Sequence, residues 1–247
     1  MANRATRWGG LHTQVLEPNA SDEIIGNVVL CHGFGAPGTD LVPLTPLLFQ
    51  FEPSLQQRVR FIYPAAPLDL ADLGIPGGRA WWNIDIMKLQ ETIAAGRGRE
   101  LLDQSPSALP AVREQFLEFL QECVAETGIP LKRTLIGGFS QGSMLTTDAA
   151  LHLPEPPAGL IILSGMLMNQ SVWQKQLQHR SGLPVFQSHG RFDPLLPFNF
   201  ALALRDLLQN SGNPVEFCEF AGAHEIPYQV LQQVASFVQR CLASPLT

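Results

Sequence analysis

The sequence predicts an α/β fold built on an open, mostly parallel, doubly wound sheet with helices on both faces. Three observations lead there. Short, nearly continuous runs of Val, Ile, Leu and Phe recur at 27–31, 59–63, 134–138, 160–164, 185–189 and 215–220, and unbroken apolar runs suit strands covered on both sides. Longer segments of helical period separate them, and a β-α-β-α order favours parallel strands joined by right-handed crossovers. At 136–145 an apolar run passes through two glycines, a serine and a third glycine into a helix-compatible stretch, the layout of a strand–turn–helix nucleophile elbow.

Taken in order, 11–17 reads as a further strand at a sheet edge. The stretch 64–85, rich in Pro, Gly and Trp, reads as loop. The stretch 86–109 holds Gly96, Gly98, Ser105 and Pro106 around a short helical pattern at 87–95. Together they form a long, lid-like connection at 64–109, and connections of that length are usually functional or disordered. Pro110 suits a first helical position, with Val112, Phe116, Leu117, Leu120 and Val124 on one stripe and Gly128 and Pro130 closing the helix. A second helix spans 143–153. A third runs over 198–208 and is ended by Gly212 and Pro214. The last, over 227–242, turns Val230, Leu231, Val234, Phe237, Val238 and Cys241 inward. No repeat, low-complexity tract or internal boundary interrupts this rhythm, so residues 1–247 read as one domain.

Composition narrows the function classes. The chain has 247 residues, is 45% hydrophobic and 15% charged, and carries a formal charge of −6. A mildly acidic chain offers no footprint for a nucleic-acid backbone. No apolar stretch approaches the length of a membrane span, and the N-terminal arginines lack an apolar segment behind them, so neither membrane integration nor secretion is expected. The four cysteines, Cys31, Cys123, Cys218 and Cys241, form no C-x-x-C pair. They read as buried free thiols in a reducing cytoplasm. The six histidines show no H-x-x-x-H spacing, so no metal and no cofactor is expected.

In open α/β sheets ligands bind beyond the carboxyl ends of the strands. His32-Gly33-Phe34 follows the first apolar run, Gly138-Phe139-Ser140-Gln141-Gly142 the third, Gly190-Arg191-Phe192-Asp193 the fifth, and Gly222-Ala223-His224 the sixth. A serine, an aspartate and a histidine thus share one rim, in the chain order of α/β-hydrolases. Ser140 would be the nucleophile, His224 its base and Asp193 the orienting acid. The backbone N–H groups of Gln141 and Phe34 would receive the oxyanion. Each residue also has a plain structural reading. Ser140 can be a helix N-cap, Asp193 a turn residue before Pro194, and His224 a helix-terminal residue. Their joint occurrence at strand ends favours the triad. His32 reads as a structural histidine bonding a backbone carbonyl, Asp148 as a solvated or capping residue, and Cys31 as a buried thiol. Trp81 and Trp82 divide between core packing and the cleft wall.

With these pieces in view, the chain resembles the phospholipase/carboxylesterase family, which includes acyl-protein thioesterases and bacterial carboxylesterases. The matching stretches are Leu30-Cys31-His32-Gly33-Phe34-Gly35, Tyr63-Pro64-Ala65-Ala66-Pro67, Ala80-Trp81-Trp82-Asn83-Ile84, the elbow, Leu163-Ser164-Gly165, His189-Gly190-Arg191-Phe192-Asp193-Pro194 and Gly222-Ala223-His224-Glu225-Ile226-Pro227. The resemblance implies an α/β-hydrolase fold without a large cap domain and activity on esters or thioesters, with Ser140, Asp193 and His224 as triad. Gly35-Ala36-Pro37-Gly38 and Trp82-Asn83 depart from the family's usual acidic residues, and 86–109 is longer and more polar. These changes fall around the substrate mouth.

The leading expectation is a carboxylesterase that forms an acyl-enzyme on Ser140 from a small-molecule ester. An alternative is a lysophospholipase or acyl-protein thioesterase with a long apolar groove walled by Trp81, Trp82, Phe34 and Met166. A third, from another class, is a non-catalytic binding protein on the same scaffold. The sequence leaves monomer and homodimer both open.

Overall fold

Residues 2–18 and 23–243 are described by the structure, a computed structural model. In chain order the strands and helices are β1 (Ala2–Trp8), β2 (Leu11–Glu17), β3 (Gly26–Cys31), α1 (Thr45–Phe51), α2 (Ser54–Arg58), β4 (Val59–Pro64), β5 (Leu68–Asp69), β6 (Arg79–Ala80), α3 (Ile86–Ala94), α4 (Leu109–Thr127), β7 (Thr134–Phe139), α5 (Gln141–His152), β8 (Gly159–Leu163), α6 (Gln170–Leu177), β9 (Val185–Gly190), α7 (Phe198–Asn210), β10 (Val215–Phe220) and α8 (Tyr228–Ala243).

Eight strands form one sheet in the order β1-β2-β4-β3-β7-β8-β9-β10. The six strands from β4 to β10 run parallel, while β2 pairs antiparallel with β4 and with β1. Alternation along the central strands assigns the two faces. Val29 and Cys31 of β3 join a core with Phe116 and Leu120 of α4, Leu145 and Ala149 of α5, Trp173 of α6 and Leu204 of α7. Val28 and Leu30 turn to the other side and meet Leu48 of α1, Leu55 of α2 and Val234 and Phe237 of α8. Both faces are therefore covered, which is why these strands read as unbroken apolar runs.

The expected helices are present. Pro110 lies in the first turn of α4, and Gly128 closes it in the left-handed region at φ 68°. The strand at 11–17 forms, but it is not an edge. The edge is β1, which the sequence reading missed because it is polar and largely exposed, so no apolar period marks it. Gly9 and Gly10 join the two strands with φ values of 52° and 74°. Paired positive φ angles are the demand of a tight hairpin turn, and glycine meets it without strain. Helices α1, α2 and α6 also lay outside the expectations. They run for 7, 5 and 8 residues, too short for a clear 3.6-residue period. The stretch 64–85 is not wholly loop, since β5 and β6 pair within it. Among the described residues no separate cap domain covers the carboxyl edge of the sheet.

Candidate active site

The turn between β7 and α5 is tight enough to force its sequence. Ser140 sits at φ 52°, ψ −120°, a region costly for any residue with a Cβ. A Cβ on Gly138 would enter the Cys31 carbonyl and the Gly142 backbone, and one on Gly142 would enter the backbone of Cys31 and His32. The elbow therefore fits against the end of β3 only with glycine at both places. The Ser140 N–H donates to the Leu163 carbonyl at 2.8 Å, and the Ser143 hydroxyl donates to the Ser140 carbonyl at 2.7 Å. The serine is thus fixed from β8 and from its own helix.

Asp193 and His224 meet across the loops that follow β9 and β10. The loops are latched by backbone bonds from Arg191 to Phe220 at 2.8 Å and from Phe192 to Gly222 at 3.0 Å. A side chain at Gly190 would break this approach, because a Cβ there meets the Gly222 and Ala223 carbonyls. His224 Nδ1 lies 2.6 Å from Asp193 Oδ2. A carboxylate only accepts, so the proton sits on Nδ1 and Nε2 keeps its lone pair. The other oxygen, Oδ1, accepts the N–H groups of Leu195 and Leu196, both at 2.9 Å. Burial pushes the Asp193 carboxyl up, but the His224 hydrogen bond and the two backbone donors outweigh it and hold the group below the usual carboxylate range. The His224 ring packs on Phe139 with centroids 4.8 Å apart.

Ser140 and His224 open into one cavity of about 420 Å³. Phe34, Trp82, Leu101, Met144, Met166 and Met168 supply much of its apolar wall, and α3 with the turn at 98–106 supplies another side. Asp40, Asp85, Lys88 and Gln104 add polar groups. The turn at 98–106 is fastened to the start of α6. The Asn169 and Gln170 N–H groups donate to the Gln104 and Leu102 carbonyls at 3.2 and 2.9 Å. The Ser171 N–H donates to the Asp103 carboxylate at 2.8 Å.

Gln141 directly follows the serine and Phe34 lines the same cavity as Ser140, and among the described residues neither backbone N–H has a partner. Of the three residues expected in the cleft, Trp82 and Met166 line the cavity and Trp81 does not. Trp81 is fully buried. Its indole N–H donates to the His32 carbonyl at 2.9 Å and its ring lies edge-on to Phe116. It braces the Phe34 turn from behind, because the indole N–H needs a buried acceptor and finds it there.

His32 is structural, as expected. Its Nδ1 lies 2.8 Å from the Gly33 carbonyl and its Nε2 accepts the Ala66 N–H at 3.0 Å. Burial pushes its pKa down, so it stays neutral. Asp148 corrects the sequence reading. It is fully buried, accepting the Trp173 indole N–H at 2.7 Å and pairing with Arg113 at 3.2 Å. Its partners come from α4 and α6, a relation no local pattern announces. Burial pushes the Cys31 thiol up, so it is no nucleophile at neutral pH. Sequence reasoning also missed the side chains of Gln141 and His189. The first reaches the Trp81–Trp82 backbone and the second the Asp193 carboxylate. Among the described residues no cluster of three or more His, Cys, Asp or Glu side chains is arranged to hold a metal ion.

Comparison with known proteins follows the same lines. The sequence profile of the phospholipase/carboxylesterase family matches residues 14–242. Acyl-protein thioesterase 1 of Saccharomyces cerevisiae is 27% identical over 225 residues, covering 88% of this chain and 93% of its own. Its counterpart in Eremothecium gossypii is 28% identical, covering 85% of this chain and 86% of its own. Among solved structures, esterase PE8 superposes with a TM-score of 0.73 at 25% identity, covering 92% of this chain and 97% of that one. A carboxylesterase from Mesorhizobium loti, at 20% identity, shares the fold with a TM-score of 0.70 over 98% of this chain and 99% of its own. With the family profile spanning most of its length and the sheet, elbow and strand-end loops in the family's order, the chain belongs to the phospholipase/carboxylesterase family of α/β-hydrolases.

Proposed function

We propose that the protein is a serine carboxylesterase that cleaves small-molecule carboxylic esters through an acyl-enzyme on Ser140. The observation that carries this reading is the 2.6 Å Asp193–His224 pair, whose histidine lines one largely apolar cavity with Ser140. His224 takes the Ser140 hydroxyl proton on Nε2 as Oγ attacks the ester carbonyl carbon. Asp193 stabilises the imidazolium and keeps the ring in its productive tautomer. The oxyanion accepts from the Phe34 and Gln141 N–H groups, each contributing about 3–4 kcal/mol of transition-state stabilisation. The bond to the leaving oxygen breaks as His224 returns the proton to it, and the acyl group stays on Oγ. Water then gives a proton to His224 and attacks the acyl carbon. Collapse releases the acid and restores the serine. Replacement Ser140→Ala, assayed on p-nitrophenyl esters, is expected to lower kcat by about 10³-fold or more. Unchanged turnover in the folded variant overturns the assignment.

The cavity itself favours a second reading, hydrolysis of longer acyl esters or thioesters. Its methionines and Leu101 offer an apolar wall beside the serine, and relatives from two fungi are named acyl-protein thioesterases. A profile of acyl-chain length separates the two readings. A maximum at acetyl and butyryl esters excludes the longer-chain one.

We place the protein in the cytoplasm on the support of its cysteines. All four are unpaired, as thiols are in a reducing compartment. No helix among the described residues is long and apolar enough to cross a membrane.

A further inference from the structure

The Asp193 carboxylate has a second imidazole against it. His189, at the end of β9, is completely buried. Its Nε2 lies 2.8 Å from the Leu196 carbonyl oxygen and 3.3 Å from Asp193 Oδ2, the same oxygen that accepts from His224. A carbonyl only accepts, so Nε2 carries the proton and donates it to Leu196, with Asp193 Oδ2 in electrostatic contact at 3.3 Å. Nδ1 is then bare; the Gly165 backbone lies near the ring, but Nδ1 is buried with no well-formed hydrogen bond. A side chain serving only to fill space would do so at less cost as an apolar one, because an unpaired buried acceptor destabilises the fold.

We propose that His189 is a positioning residue for the triad, its Nε2–H set against Asp193 Oδ2 and thereby tuning how the carboxylate acts on His224. The proposal rests on the triad reading above. Oδ1 is pinned by the two backbone N–H groups of Leu195 and Leu196. With the His189 ring packed against Oδ2, the carboxylate has little room to rotate away from His224. The His189 N–H dipole beside Oδ2 also draws on the charge that would otherwise favour the imidazolium, so it opposes proton uptake by His224.

Few other ionisable groups bear on this arrangement. Asp193 and His224 are the charged groups acting on His189, which packs on the Phe198 ring of α7. His224 faces Asp193 and the Phe139 ring, while the neighbouring Glu225 carboxylate is engaged by the Ala223 N–H at 3.1 Å. Burial holds His189 below its ordinary pKa, against the Leu196 carbonyl, the Asp193 carboxylate and the Gly165 backbone, which favour the cation. It therefore acts as a neutral donor at neutral pH.

The test compares His189→Leu, which removes the donor, with His189→Gln, whose amide nitrogen reaches the same place. The readout is kcat/KM against pH on a p-nitrophenyl ester, normalised to the sites a fluorophosphonate titrates. In the Leu variant the acid limb is expected to move to higher pH by roughly half a unit, with kcat down about tenfold and KM nearly unchanged. In the Gln variant the limb is expected at its wild-type position. A limb unmoved in the Leu variant, or moved equally in both, overturns the proposal. Nitrogen-15 histidine NMR of the wild-type protein provides a measurement independent of either variant's folding. His189 is expected as a neutral Nε2–H imidazole at neutral pH and above, its Nε2 resonance following the titration assigned to His224 with His224→Gln. A His189 that carries its proton on Nδ1, or ignores that titration, also overturns it. Turnover persisting in Ser140→Ala strikes the triad reading instead, and leaves the linkage between the two histidines to be judged by the NMR alone.

Discussion

The Gln141 side chain accepts the Trp81 N–H at 2.9 Å and donates to the Trp82 carbonyl at 2.7 Å. The residue after the serine thus clamps the Trp81–Trp82 backbone with its side chain. Gln141→Leu leaves both buried backbone groups unpaired, at about 1–3 kcal/mol each. Thermal denaturation is expected to show a loss of roughly 10 °C. Gln141→Glu keeps an acceptor for Trp81 but turns an oxygen on the Trp82 carbonyl, so it should be no better tolerated. A melting temperature unchanged in the Leu variant would show that water replaces the clamp.

Asp193→Asn tests the acid's two consequences together. An amide nitrogen facing His224 Nδ1 stabilises the wrong tautomer, and kcat is expected to fall by about 10³–10⁴-fold. The stability effect has a definite sign. The native carboxyl lies below its ordinary value, so the folded protein binds this proton less readily than the unfolded chain does. Its stabilisation is complete above about pH 4 and is lost as pH falls through the lower native value. Urea unfolding of the two proteins should therefore differ most near neutrality and converge on acidification. A gap that widens toward low pH contradicts the assignment.

Arg113 and Asp148 form an ion pair in which the acid is wholly buried. Removing only the cation leaves the buried carboxylate with the Trp173 indole N–H and the His152 ring 3.8 Å away, a loss of about 3–5 kcal/mol. Arg113→Met is expected to lower the melting temperature by roughly 10 °C. The double variant Arg113→Met with Asp148→Asn should recover part of that, because the amide still accepts from Trp173. Additive losses in the double variant would mean that the two groups do not interact.

Met168 lines the cavity. Met168→Trp fills part of it without touching the serine or the histidine. The kcat/KM for octanoyl esters is expected to fall by at least about tenfold, while that for acetyl esters stays within about twofold. Equal losses on both substrates would place the acyl chain elsewhere.

Much of this arrangement was legible in the sequence because its signals are local. The central strands are apolar throughout since both faces are covered, and glycine must stand on either side of Ser140 for the elbow to fit against β3. The strand-end positions of Asp193 and His224 follow from the same rule that places ligands in open sheets. What escaped lacked a local signal. Strand β1 is polar along most of its length, although Gly9-Gly10 is a turn sign that an alternating run on either side would have made readable. Trp81 was open to either reading until its indole was seen on the His32 carbonyl. The burial of Asp148 and the second imidazole on Asp193 depend on residues brought together from separate segments, and no spacing in one segment encodes them.

The loop that carries His224 leaves the sheet from β10, its terminal strand, which pairs only with β9 and has several half-exposed or exposed residues. The proposed nucleophile, by contrast, hangs from β7 in the middle. Edge strands open at lower free energy than central ones. Competence for chemistry and integrity of the fold therefore have different thresholds. A fluctuation that lifts β10 separates the proposed base from its acid while the elbow and most of the core stay in place, so the molecule can fall silent long before it unfolds.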